Sequence, residues 1–127
     1  MRSYQSGVNR ALGLGSAKNG FIAWWRQRVS AVLLIPLLAW LGIGLALQAG
    51  ADFESARAWV GSPINSVLMI ATLAVLLFHT AVGLQVIIED YVETEGLKAA
   101  SIVLTHFVCF LLTIAGSLAV VRIALGS

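Results

Sequence analysis

Three long apolar runs, residues 29–47, 64–88 and 99–121, divide the chain, and none of them contains a charged residue. Each exceeds the roughly 18 residues that separate a membrane-crossing helix from a buried core helix. The pattern predicts an all-α membrane protein with three transmembrane helices, joined up-down-up by short connections. Pro36 lies inside the first run, removes a backbone hydrogen bond and predicts a kink there. Gly42, Gly44 and Ala46 give the same run a small-residue surface suited to close helix contact. In the connector that follows, Phe53, Ala56, Trp59 and Val60 share one helical face while Asp52, Glu54 and Arg57 lie elsewhere, which predicts a short helix in the membrane interface. Ser62-Pro63 reads as an N-cap followed by proline at the first helical position, so the second crossing helix starts near Pro63 and can reach Val92. Gly96 is expected to stop that helix, with the return beginning at Lys98.

Composition sharpens this reading. The 127 residues are 59% hydrophobic and 11% charged, so three crossings leave no room for a soluble catalytic module. Arg2, Arg10, Lys18, Arg26 and Arg28 precede the first run without a single acid, which places the N-terminus in the cytoplasm. Residues 1–28 then form a cytoplasmic N-terminal segment whose Phe21, Trp24 and Trp25 anchor it at the interface, and residues 29–127 form the membrane domain. Three crossings put the connector of residues 89–98 in the cytoplasm and Arg122 outside. That connector has four acids and one lysine, but acids count little in setting topology. An arginine- and serine-rich start without acids also matches a mitochondrial transit peptide; retention of the segment is the expectation. A secretory signal is not expected, because the first run is a full span rather than a short apolar core. Cys109 is the only cysteine, so no internal disulfide or cysteine-built cluster can form.

The chemistry concentrates in residues 78–92, FHTAVGLQVIIEDYV. His79 lies about nine residues inside the apolar run, where an imidazole is costly unless paired or ligated. Gly83, Val86 and Asp90 fall within about 40° of its direction on a helix, so they share one stripe. Gly83, one turn from His79, removes a side chain where a flat macrocycle would approach the backbone. Asp90 and Tyr91 stand about 16 Å further along the axis, at the cytoplasmic boundary. A ligating histidine and a polar quinone-sized site can thus share one helix at two depths. The bland alternatives stay open: His79 can simply hydrogen-bond a neighbouring helix, and Asp90-Tyr91 can be an ordinary interfacial helix end. His106 lies about 6 to 10 Å inside its own span against about 14 Å for His79, and that mismatch disfavours the two as ligands of one iron. Arg28, beside Ser30, either anchors its helix to phosphates or pairs its guanidinium fork with a carboxylate such as a haem propionate.

These residues resemble a known family, the smaller of the two hydrophobic membrane anchors of succinate dehydrogenase, respiratory complex II. Gln27-Arg28-Val29-Ser30-Ala31 leading into Val32 and Pro36 is similar to the family's arginine, small hydroxyl residue and alanine at the first helix. His79, Gly83 and Asp90-Tyr91 are similar to its histidine, glycine and Asp-Tyr spacing. The resemblance implies a membrane anchor subunit of succinate:quinone oxidoreductase in a bacterial inner membrane, a mitochondrial one being less favoured. It implies partners: a companion cytochrome b anchor subunit, an iron-sulfur subunit and a flavoprotein subunit that holds the succinate chemistry, with no nucleic acid. By the same resemblance His79 is one axial ligand of a haem b iron, the second ligand coming from the companion anchor. Arg28 lies near the haem propionates and Gly83 packs against the haem. Tyr91 hydrogen-bonds a ubiquinone carbonyl and Asp90 shapes the polar mouth of that site. Glu93 and Glu95 make this mouth more acidic than the basic stretch expected of some members. Two imidazoles on a ferric haem leave positive charge in a poorly solvating medium, so apolar packing favours the ferrous form. The rival readings are a self-contained small b-type cytochrome using His79 and His106, and a structural or assembly membrane protein whose histidines only pack helices.

Overall fold

The computed structural model describes residues 14–126, with side chains from Gly20 onward. Arg2 and Arg10 of the basic N-terminal stretch lie outside the described residues, as do the side chain of Lys18 and the whole of Ser127. The order is α1 (Leu14–Leu47), α2 (Phe53–Gly61), α3 (Pro63–Tyr91) and α4 (Glu95–Ala124), with no strand among the described residues. Three of these helices are long and apolar enough to cross a membrane, over Gly20–Leu47, Pro63–Tyr91 and Glu95–Ala124. In hydrocarbon every backbone N–H and C=O must be satisfied within its own segment, and a continuous helix does this. The first helix begins well before its apolar run and continues on both sides of Pro36.

The short helix expected after the first span is present as α2, and side chains close both of its ends. Asp52 at its N-cap accepts the Ser55 N–H at 2.8 Å. Hydrogen bonds from the backbone and side chain of Ser55 hold the Asp52 carboxyl below the usual carboxylate range. At the other end, Ser62 Oγ and Asn65 Nδ2 both donate to the Trp59 carbonyl, at 3.0 and 2.8 Å, and Ser66 Oγ donates to that of Val60 at 2.8 Å. Ser62 does occupy the N-cap position of α3, but its hydroxyl turns back to α2 and makes no cap bond to α3. Pro63 in the first turn of α3 has no N–H to satisfy, so less is lost.

One boundary differs from expectation. The second crossing helix ends at Tyr91, with Val92 extended, and α4 already begins at Glu95, so Gly96 lies in the first turn of α4 and stops nothing. Glu95 complements the positive N-terminal end of α4 and pairs with Lys98 at 3.1 Å one turn on. These local terms favour an early start of α4, and glycine in a first turn costs little there.

Helix α3 is the packing centre: α1 and α4 each lie along it, and among the described residues they share no close backbone contact with one another. Register follows from a few approaches. Ser30 on α1 meets His79, and Gln27 meets Gly83 one turn further. On the α4 side His106 meets Gln85, and a Cβ on Gly116 would stand 2.9 Å from Leu73 Cδ1. Both pairs of helices therefore run antiparallel. Helix α2 folds back so that Trp59 stacks on Trp40 of α1, centroids 5.5 Å apart, and covers Gly44, where any Cβ would overlap the indole ring.

The buried apolar set is small: Leu34, Ala81, Val82, Cys109 and Val120. Most large apolar side chains of the three spans face outward, the surface a chain presents to lipid tails or to another membrane helix. Three threonine hydroxyls inside the spans are satisfied within their own helix. Thr72, Thr80 and Thr113 each donate to the carbonyl four residues back, at 2.7 to 2.9 Å.

Candidate functional site

The two motifs singled out in the sequence meet in space. Ser30, buried at 3% exposure on α1, places its Oγ 2.8 Å from Nδ1 of His79 on α3, a contact between residues 49 apart in the chain. The same Oγ lies 3.0 Å from the Gln27 carbonyl one turn back on α1. His79 is half-buried, and no described residue makes a hydrogen bond with its Nε2. An imidazole fixed at one nitrogen and open at the other suits ligation of a metal outside the chain.

Gly83 lies one turn from His79 and faces α1. A Cβ on it would stand 3.4 Å from Nε2 of Gln27, so within this chain the low surface over Gly83 is taken by the Gln27 amide. Gln27 Oε1 is itself buried and has no hydrogen-bond partner among the described residues. Burial of an unpaired carbonyl oxygen costs about 1 to 3 kcal/mol, and this one lies one turn of α1 before the Ser30–His79 contact.

Arg28 falls at the level of Gly83 and His79 rather than at the level of Tyr91. The register that joins Ser30 to His79 sets it there, about 3 Å of axis from Ser30. It therefore does not mark the same boundary as the end of α3. Its guanidinium lies over the Trp24 ring, 5.6 Å from the centroid, one turn toward the N-terminus. Such a reach along the helix carries a charge from a deep Cα toward the interface. Trp24 belongs to a stacked aromatic group with Phe21 and Trp25, centroids 6.0 to 6.4 Å apart.

Asp90 and Tyr91 occupy the last turn of α3, exposed, Tyr91 at 81%. Neither side chain bonds a described residue. Eleven residues separate His79 from Asp90, about 16 Å along the axis, so the two-depth arrangement follows from the unbroken helix.

His106 belongs elsewhere. Its Nε2 lies 2.8 Å from Gln85 Oε1, and Gln85 Nε2 donates to Glu89 at 3.1 Å, forming a chain His106–Gln85–Glu89 across the α3/α4 seam. Gln85 is six residues beyond His79, about 9 Å of axis, so the two histidines sit at different depths on different sides of α3. Neither Gln27 nor Gln85 stood out in the sequence as a partner. The available signal was an amide in or beside an apolar run, which needs a hydrogen bond as much as a histidine does.

Comparison with known proteins supplies the family. Residues 2–113 match the model of the succinate dehydrogenase/fumarate reductase transmembrane subunit. The chain belongs to that family. The succinate dehydrogenase hydrophobic membrane anchor subunit of Rickettsia conorii is 27% identical over 113 residues, 88% of this chain and 90% of that one. The succinate dehydrogenase membrane anchor subunit of Reclinomonas americana is 33% identical over 94 residues, 72% of this chain and 78% of its own length. The hydrophobic membrane anchor subunit of Paracoccus denitrificans is 30% identical over 117 residues, covering 92% and 90%. Members of the succinate dehydrogenase/fumarate reductase transmembrane subunit family work within a multi-subunit membrane complex. The three apolar helices of this member are therefore its anchor, and the outward apolar faces of α1 and α4 are surfaces for lipid or neighbouring subunits.

Proposed function

We propose that this chain is the smaller anchor of a succinate:quinone oxidoreductase in a bacterial inner membrane. In this reading it co-ligates haem b through His79 and contributes Tyr91 and Asp90 to the site of ubiquinone reduction. Its partners are a companion cytochrome b anchor, an iron-sulfur subunit and a flavoprotein subunit. The observation that carries the reading is the contact of Ser30 with His79, because it joins the arginine-serine motif of α1 to the histidine of α3 at one depth in the membrane.

The residues present fit a haem. One imidazole nitrogen of His79 is occupied within the chain while the other has no partner among the described residues, and a permanent cation, Arg28, lies at the same level. A haem there supplies a one-electron redox centre. His79 would hold the haem from this chain and the companion anchor would complete its ligation, since the only other histidine here is held by Gln85 on another side of α3. Arg28 is long enough to leave Trp24 for a propionate, a partner its fork matches in geometry and charge. Gly83 lets the Gln27 amide lie against α3 one turn from His79, so α1 approaches closely beside the ligand.

At the cytoplasmic end, quinone reduction adds two electrons and two protons and needs donors where charge develops on the carbonyl oxygens. The Tyr91 hydroxyl donates one such bond. Asp90, at a wet boundary, orients it and exchanges protons with the cytoplasm. Exposure of both side chains fits a site completed by another subunit.

The test is Tyr91→Phe in the purified complex. Loss of one hydrogen bond to the quinone is expected to lower kcat/KM for quinone about tenfold while succinate oxidation by an artificial electron acceptor stays intact. Unchanged quinone kinetics would remove Tyr91 from the site.

A further inference from the structure

Ser30 Oγ has one proton and two neighbours, the Gln27 carbonyl at 3.0 Å and His79 Nδ1 at 2.8 Å. A carbonyl oxygen only accepts, whereas an imidazole nitrogen either accepts or, when protonated, donates. Both contacts are satisfied together in only one way. Ser30 donates to the Gln27 carbonyl, and Nδ1–H of His79 donates to Ser30 Oγ. The other hydroxyls in these spans support the assignment, since Thr72, Thr80 and Thr113 all give their proton to a carbonyl one turn back.

We propose that Ser30 is the positioning residue that holds His79 as the Nδ1-protonated tautomer, leaving the lone pair on Nε2 to face out of the chain as a ligand. The role in ligation rests on the haem reading above; the tautomer itself does not. A neutral imidazole has one protonated nitrogen, so fixing the proton on Nδ1 empties Nε2 without any change in charge, a saving in a medium that solvates an imidazolium poorly. The same bond fixes the ring plane. By accepting from Nδ1–H, the hydroxyl also makes the ring a stronger donor at Nε2, which favours the ferric state of a bound iron. Ser30 is buried at 3% exposure, so water does not compete for the bond. The hydroxyl two residues beyond Arg28 is thereby part of the ligand assembly on α3, although it belongs to another helix.

The experiment uses the assembled complex carrying Ser30→Ala or Ser30→Thr. Threonine keeps the hydroxyl and, like Thr72, can bond the preceding turn. Ser30→Ala is expected to weaken haem retention about tenfold and to raise the haem midpoint potential, with Ser30→Thr close to wild type on both. In [15N]histidine-labelled complex stripped of haem, the His79 signal, assigned as the one lost in His79→Gln, is expected to show a protonated Nδ1 that Ser30→Ala abolishes. A Ser30→Ala complex with wild-type haem retention, potential and ring tautomer would overturn the proposal, as would a wild-type His79 protonated at Nε2. A complex that never contains haem but shows the Nδ1 proton and its loss in Ser30→Ala would uphold the role of Ser30 while removing the haem reading.

Discussion

The amide of Gln27 lies against Gly83, its Nε2 3.4 Å from where a Cβ would stand, and this pairs the turn before Ser30 with the turn after His79. Gly83 thus sets how closely α1 approaches α3 beside the histidine. A methyl group there meets only the movable end of a side chain. Gly83→Ala is expected to cost under about 1 kcal/mol and to leave the complex's absorption spectrum unchanged. Gly83→Leu must displace Gln27 and separate Ser30 from His79, and is expected to lower thermal stability by about 1 to 3 kcal/mol with loss of haem. Melting curves and visible spectra of the purified complex check both.

A stricter glycine is Gly44. Its missing Cβ would overlap the Trp59 ring, which is itself stacked on Trp40 and cannot swing away as an amide can. Gly44→Ala is expected to destabilise the anchor by about 1 to 3 kcal/mol, and the cost should shrink when Trp59 is also reduced to alanine. A double-mutant cycle on thermal unfolding in micelles reads that coupling; additive effects would show that the two residues do not meet.

Much of the architecture was legible in the sequence because hydropathy and caps act locally. The three spans, the short helix between the first two and the start of α3 at Pro63 follow from residues next to one another. The stripe from His79 to Asp90 also needed only an unbroken helix. Register between helices was not legible, because a uniformly apolar surface does not state which turn meets which. Arg28 therefore read as the residue at the edge of the first apolar run, and the Ser30 contact draws it level with His79. Gly96 misled for a local reason: a glycine near a helix end signals a stop, but Glu95 in the first turn and its pair with Lys98 favour a start.

The α3/α4 seam makes its own prediction. His106 and Gln85 form one polar bond between two apolar helices. Pairs of this kind average about 0.6 kcal/mol in membrane helices, so His106→Leu and Gln85→Leu should each destabilise modestly and couple by about that amount. Loss of assembly in either single variant would give the bond a larger role than this.

Asp52 gives a pH dependence outside the membrane. Its carboxyl is held below the ordinary value by hydrogen bonds from Ser55, so its contribution to α2 is present at pH above the ordinary carboxylate value and fades as pH falls through the lowered one. Protection of the Ser55 amide against exchange, taken relative to its intrinsic rate, should be present at neutral pH and fall below about pH 4. Asp52→Asn should retain the cap and remove this pH response.

The central claim, that His79 and not His106 carries the haem, is tested most directly by the reduced-minus-oxidised spectrum of complexes purified with each histidine replaced. His79→Ala is expected to lose the b-type absorption band while His106→Ala keeps it with the wild-type haem content. Equal loss in both variants, or a full b-type band in His79→Ala, would contradict it.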